Sequence, residues 1–266
     1  MTESLTDKVV NSFLYVKSYI RSLLGVTKFG GEEPDKSKMS LVFDDEFVSL
    51  DPSNWRIGQP WGLFHPDFPN QYYGFDSVSV RNNKLVLSQI YSPKKFTNDN
   101  KTYDIPYSVG LITTYKSFGY GFYEFEVQLP YGVGLWPAVW LGCYDTWPPE
   151  IDIIEAYSDT NCDYKFRLES NLHFNTTENK ETSGARSHPM SDPHKNLKLS
   201  CWVTKDFIKI YYDGYLVRKT TSEDVLKWFR DKKFMVILNN GVRHGFESNL
   251  TEQYSEFFVN YVRVYE

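Results

Sequence analysis

Beyond residue 40, apolar and polar positions alternate in short runs punctuated by Gly, Pro, Asn and Asp, the period of strands with one buried face. Residues 75–80 alternate, Asn82-Asn83 supplies a turn and residues 85–88 return, which predicts a hairpin. Residues 91–107 are polar and carry Pro93 and Pro106, so they read as a loop. A long strand is predicted over 120–129, followed by a loop at Pro130, Gly132 and Gly134. Further strands are predicted at 170–174, 197–203, 208–212, 215–218, 234–238 and 257–265, with a tight turn at Asp213-Gly214 and a polar excursion over 176–195. Residues 222–230 read as a short helix, with Ser222 as N-cap and Glu223-Asp224 in the first turn. Many short strands and little helix predict an all-β sandwich of jelly-roll type.

The first 26 residues follow another period. Val9, Phe13, Val16, Ile20 and Leu23 fall at helical spacing, with Lys8, Lys17 and Arg21 among the intervening positions. This predicts a short amphipathic helix, which Gly25, Gly30, Gly31 and Pro34 end. The division expected is a helix and linker over 1–40 and a β-sandwich over 41–266. The basic content is thin for an interfacial helix, so packing or docking on a partner protein is expected over membrane binding. Lys17 and Arg21 interrupt any apolar signal region, and no run approaches the ~18 apolar residues of a membrane span.

One run departs from simple alternation. Pro148-Pro149-Glu150-Ile151-Asp152-Ile153-Ile154-Glu155-Ala156-Tyr157 sets three carboxylates among β-branched apolar residues, the composition of a buried strand. Glu150 and Asp152 share a face, but Glu155 lies five residues from Glu150 and should point the other way. A β-bulge within Ile153-Ile154 would absorb the odd residue and return Glu155 to their face. The two glutamates then stand roughly 13 Å apart at Cα, at about 3.3 Å per residue, and their side chains must lean together over the shorter Asp152. Carboxyls brought to about 5 Å suit a retaining glycosidase, one as nucleophile and one as acid/base.

Composition narrows the setting. The 266 residues allow one β-rich domain, and aromatics at 17% suit both strands and stacking on sugar rings. A net charge of −5 without a basic run gives no footprint for nucleic acid. Cys143, Cys162 and Cys201 are too few and too scattered for a zinc ribbon or disulfide framework, so buried free thiols are expected. The five histidines show no i, i+4 metal pair, and neither a serine-hydrolase elbow nor a phosphate-binding glycine loop is present. Trp136, Trp140 and Trp147 flank the acidic strand. Because an indole N–H needs a partner when buried, three so close suggest a wet aromatic platform, with one of them filling core.

The E-x-D-x-x-E run resembles the signature of glycoside hydrolase family 16 in its bulged form. The resemblance extends to Leu41-Val42-Phe43-Asp44-Asp45-Glu46-Phe47 with Trp55, to Gly110-Leu111-Ile112-Thr113-Thr114, and to Gly119-Tyr120-Gly121-Phe122-Tyr123-Glu124-Phe125-Glu126-Val127. Gly134-Leu135-Trp136-Pro137-Ala138-Val139-Trp140-Leu141, Ile237-Leu238-Asn239 and the terminal Tyr261-Val262-Arg263-Val264-Tyr265 follow in family order. It implies a concanavalin-like jelly roll and an endo-acting, retaining hydrolase of a β-linked polysaccharide, a β-1,3-glucan first and a galactose-containing glycan next. Glu150 would be the nucleophile, Glu155 the acid/base and Asp152 the residue tuning both. By the same resemblance Trp136 and Trp140 line sugar subsites, Trp147 stands at the cleft edge, and His173 lies on the next strand near the acids. Trp61, in Gln59-Pro60-Trp61-Gly62, is a further substrate-binding candidate.

The chain departs from the family in three places. Phe122 replaces a frequent Arg, Asn240 replaces a small apolar residue, and Asn260 replaces an Asp that helps hold a structural calcium. Asn260 counts against a structural calcium without excluding it, and no other metal or cofactor is expected. An extracellular, cell-surface or particle-surface location is expected, without a clear signal peptide. The alternative is a non-catalytic, lectin-like module carried on a larger assembly by the N-terminal helix; two carboxylates aimed at one bond argue against it.

Overall fold

The computed structural model describes residues 33–130, 132–157, 167–175, 181–183, 186–188, 195–243 and 254–266, with Val9, Ser12, Phe13 and Val16. The expected N-terminal helix lies outside the described residues except for those four, which are helical and exposed. The strands are β1 (Leu41–Asp45), β2 (Trp55–Ile57), β3 (Gln71–Tyr73), β4 (Val78–Val80), β5 (Leu85–Asn98), β6 (Lys101–Val109), β7 (Leu111–Thr114), β8 (Gly121–Gln128) and β9 (Leu135–Gly142). They continue as β10 (Glu150–Tyr157), β11 (Arg167–Asn175), β12 (Glu181–Ser183), β13 (Arg186–His188), β14 (Leu197–Val203), β15 (Ile208–Tyr212), β16 (Tyr215–Thr220), β17 (Met235–Val242) and β18 (Tyr254–Tyr265), with the helix α1 (Glu223–Leu226) after β16.

Two sheets form the sandwich expected from the alternation. The back sheet runs β16-β15-β14-β8-β18-β5-β6-β3, with β1 on β18 and β4 on β5; the cleft sheet runs β12-β11-β10-β9-β17-β7-β2, with β13 on β11. Every second residue of facing strands enters one core, for example Phe125 and Val127 of β8 and Val139 and Leu141 of β9, all fully buried. Each such side chain contributes about 1.5–3 kcal/mol by leaving water. Gly110 lies where the chain passes from β6 in the back sheet to β7 in the cleft sheet. A Cβ there would meet Ser77 O at 2.5 Å and Leu87 Cα at 2.8 Å, so only glycine allows this crossing. Asn240, an apparent misfit for a core position, is fully buried and donates to Leu87 O (3.0 Å) and Ser255 Oγ (3.2 Å), joining the sheets near the same corner.

The turns at Asn82-Asn83 and Asp213-Gly214 adopt positive φ throughout, as two-residue hairpin loops require. Cys143 and Cys201 are free and buried. Several local expectations change. Residues 91–107 are not a loop: β5 and β6 continue as a long hairpin that turns at Asp99-Asn100, both with positive φ. Its outer residues alternate between half-buried and exposed, so no apolar stripe marked them as strand. Phe64 packs on Phe96 and Tyr103 of this hairpin, with ring centroids 5.0 and 4.8 Å away. Residues 75–77 form a 3-10 turn, leaving only Val78–Val80 as strand. Ser222 occupies the N-cap of α1 without a side-chain capping bond, and the helix ends at Leu226. Residues 33–40, expected as linker, are tied to the back sheet: Ser200 Oγ donates to Glu33 (2.8 Å), Lys36 pairs with Glu124 (2.7 Å), and Ser40 exchanges backbone bonds with Glu266. Lys36 Nζ also lies 5.8 Å from the ring centre of buried Phe122.

Candidate active site

Strand β10 carries the acids, and its register shows how they share a face. Glu150, Asp152 and Glu155 pair with Gly142, Trp140 and Ala138 of β9, positions two residues apart, while Ile153 is left over. On the other side they pair with His173, Asn171 and Glu169 of β11. One extra residue therefore restores the parity, at the place expected from the spacing of the acids. Ile151, Ile153 and Ile154 are fully buried on the core side. The bulge is held from behind, because Tyr212 of β15 donates its hydroxyl to Ile153 O at 2.8 Å across the core. Beside it Arg218 of β16, 2% exposed, donates to Ser170 O (2.8 Å) and Ser170 Oγ (3.2 Å).

The candidate tryptophans converge on the same floor, each with its indole N–H satisfied. Trp136 donates to Glu155 Oε1 (3.0 Å), Trp147 to Glu150 Oε2 (3.1 Å) and Trp140 to Asn239 Oδ1 (2.8 Å). Trp136 and Trp140 are half-buried, Trp140 packing against the smaller apolar cluster as the one expected to fill core, and Trp147 is exposed at the edge. His173 Nε2 lies 3.2 Å from Asp152 Oδ2, 3.5 Å from Glu150 Oε1 and 3.0 Å from Asn171 Nδ2. That nitrogen can donate to a carboxylate or accept from the amide, but not both, so the ring's protonation is linked to that of the acids.

Burial dominates the electrostatics. It raises Glu150 well above the usual carboxylate range, with Asp152 adding repulsion and His173 opposing. Glu155 is pushed up to about 8 by burial and then by Asp152, against the hydrogen bonds from Tyr157 and Trp136. Asp152 is raised by burial as well, opposed by His173 and the Arg218 charge. Carboxylates crowded this closely share protons, so the free site retains protons at neutral pH.

A cleft of about 520 Å³ opens over these groups. All the predicted site residues line it: Glu150, Asp152, Glu155, Trp136, Trp140, Trp147, His173 and Trp61. It also takes in residues that the pattern did not mark as part of a site. Tyr157 donates to Glu155 Oε1 at 2.8 Å, and its place two residues after Glu155 on a strand was a legible signal. Asn171 likewise shares the His173 face, whereas Phe68, His65 and Asp67 arrive on an irregular segment that no period marks. Glu150, Asp152 and His173 each present an atom within 4.8 Å of the others, the one such metal-capable group among the described residues.

The family's calcium position fits less well. Asn260 directs Nδ2 at Glu126 Oε1, which also accepts from Asn196 Nδ2 (3.0 Å). Asn260 Oδ1, buried and without a hydrogen-bond partner, is one oxygen where calcium takes six to eight.

Comparison with known proteins finds similarity over most of the chain. The family model "Glycosyl hydrolases family 16" matches residues 70–257. The chain is 28% identical to Glucan endo-1,3-beta-glucosidase A1 of Niallia circulans, over 88% of this chain and 39% of that protein. It is 26% identical to Endo-1,3-1,4-beta-glycanase EglC of Rhizobium meliloti, over 87% of this chain and 52% of that protein. The chain thus spans about half or less of the length of these curated relatives. Among solved structures, the catalytic domain of an endo-1,3-beta-glucanase (laminarinase) from Thermotoga petrophila superposes with a TM-score of 0.69 at 26% identity, covering 86% of this chain and 98% of that one.

Proposed function

Because the chain belongs to glycosyl hydrolases family 16, we propose that it is an endo-acting, retaining glycoside hydrolase of a β-linked polysaccharide. The observation that carries this is the bulged strand β10, which turns Glu150, Asp152 and Glu155 to one face at the floor of a tryptophan-lined cleft. Glu150 acts as nucleophile on the anomeric carbon, and Glu155 protonates the leaving oxygen. Water deprotonated by Glu155 then attacks the anomeric carbon, breaking its ester bond to Glu150 and releasing the sugar with its β configuration restored. The high pKa of Glu155 suits it to hold a proton at neutral pH. On arrival of substrate Glu150 must be the ionised member, and the Trp147 indole and His173 beside it stabilise that charge. Asp152 adjusts both neighbours through its repulsion.

The names of the relatives support a β-1,3-glucan as first substrate, with a galactose-containing glycan next. Trp61, Trp136, Trp140 and Trp147 offer stacking faces for consecutive rings. The test is release of reducing ends from a panel of β-glucans, galactans and mucin glycans, with the anomer followed by NMR at early times. A β product is expected. Glu150→Gln should abolish turnover on every substrate, whereas Glu155→Gln should cripple polysaccharide cleavage yet spare the first step on an aryl glycoside with a good leaving group. Binding without any cleavage, or an inverted product, would refute the reading.

A further inference from the structure

Glu155 Oε1 receives two donors, the Tyr157 hydroxyl at 2.8 Å and the Trp136 indole at 3.0 Å. A carboxyl oxygen that accepts two hydrogen bonds uses both lone pairs and is the carbonyl oxygen when the group is protonated. We infer that Tyr157 is a positioning residue which, with Trp136, confines the transferable proton of Glu155 to Oε2. The inference rests on Glu155 being the acid/base.

Geometry supports the assignment beyond the two distances. Tyr157 is the next residue on the Glu155 face of β10, and its ring is clamped between Trp136, centroids 5.9 Å apart, and the Arg243 guanidinium, 4.8 Å from the ring centre. The hydroxyl is thereby aimed and does not wander. Burial and the neighbouring Glu155 charge hold the phenol far above its usual pKa, so it remains a donor across the working range. In the acid form Oε2–H is the only proton left to give to the leaving oxygen. When Glu155 gives that proton up, the charge is stabilised at Oε1 by both donors, and Oε2 is free to take a proton from the incoming water. Several charged groups set the background: Glu150 and Asp152 on β10, His173 and the cross-strand Glu169 on β11, Arg243 after β17, and Arg218 behind Asp152.

Tyr157→Phe keeps the ring and removes one donor. Loss of a hydrogen bond to the ionised form should raise the Glu155 pKa, moving the basic limb of kcat/KM upward by about one pH unit. On polysaccharide kcat should fall by about tenfold, with KM little changed, while an aryl glycoside with a good leaving group keeps most of its first-step rate. The same upward shift should appear in a carboxyl ¹³C titration of Glu155 in the substrate-free protein, which needs no turnover. A purely structural role would lower the melting temperature and leave both pH readings in place. An unmoved or downward-moved titration overturns the inference even if the wild type is active, whereas failure of the wild type to cleave any glycan overturns the function proposed above and leaves the titration to decide the role of Tyr157.

Discussion

Glu155 is 7% exposed, and burial with the Asp152 charge pushes its carboxyl up from its ordinary 4.5 to about 8. The folded protein therefore keeps a proton that the unfolded chain has released, and stability falls as pH rises from 4.5 towards 8. Each unit of pH in that window removes at most about 1.4 kcal/mol, so the strain stored at this one group reaches ~4–5 kcal/mol at pH 8. Replacing Glu155 by Gln removes the charge while leaving a carbonyl oxygen to accept from Trp136 and Tyr157. Glu155→Gln should then match the wild type near pH 4.5 and become progressively more stable above it. Urea denaturation of both proteins at pH 5, 6, 7 and 8, compared at equal m-values, reads the difference, which includes the relief of Glu150 once the Glu155 charge is gone. A gap that stays flat with pH, or a variant less stable at pH 8, would show that burial and Asp152 do not oppose this charge.

Two further outcomes follow from other parts of the framework. Tyr212→Phe leaves the Ile153 carbonyl of the bulge buried without that donor, so it should cost about 1–3 kcal/mol in urea melts and lower kcat as β10 relaxes; a change below ~0.5 kcal/mol would mean the bulge needs no support from the back sheet. Because Glu126 already accepts from the amides of Asn260 and Asn196, a strong chelator should shift the melting temperature by less than the roughly 2–4 °C that 1 kcal/mol represents in a chain of this size; a drop of many degrees would reveal a calcium site.

The acid cluster was legible because strand parity is an integer constraint: Glu155 could join Glu150 and Asp152 only through one added residue, and Ile153 is that residue. Short-range turn chemistry was equally readable at Asn82-Asn83 and Asp213-Gly214, where the left-handed conformation selects the residue types. The extended β5–β6 hairpin was not, since its outer part buries too little apolar surface to print a pattern, and Phe64 from a distant loop is what packs on it.

From its sequence alone this chain determined an all-β sandwich, the face on which its three carboxylates meet and the aromatic character of the surface around them, all consequences of periodicity and local chemistry. The tertiary structure alone decided which indole serves which carboxylate, that Tyr157 and Trp136 share one oxygen of Glu155, and that Tyr212 and Arg218 brace β10 and β11 from the opposite sheet. Those pairings join strands up to about sixty residues apart, and the raised pKa values arise from burial, a property that no run of neighbouring residues encodes.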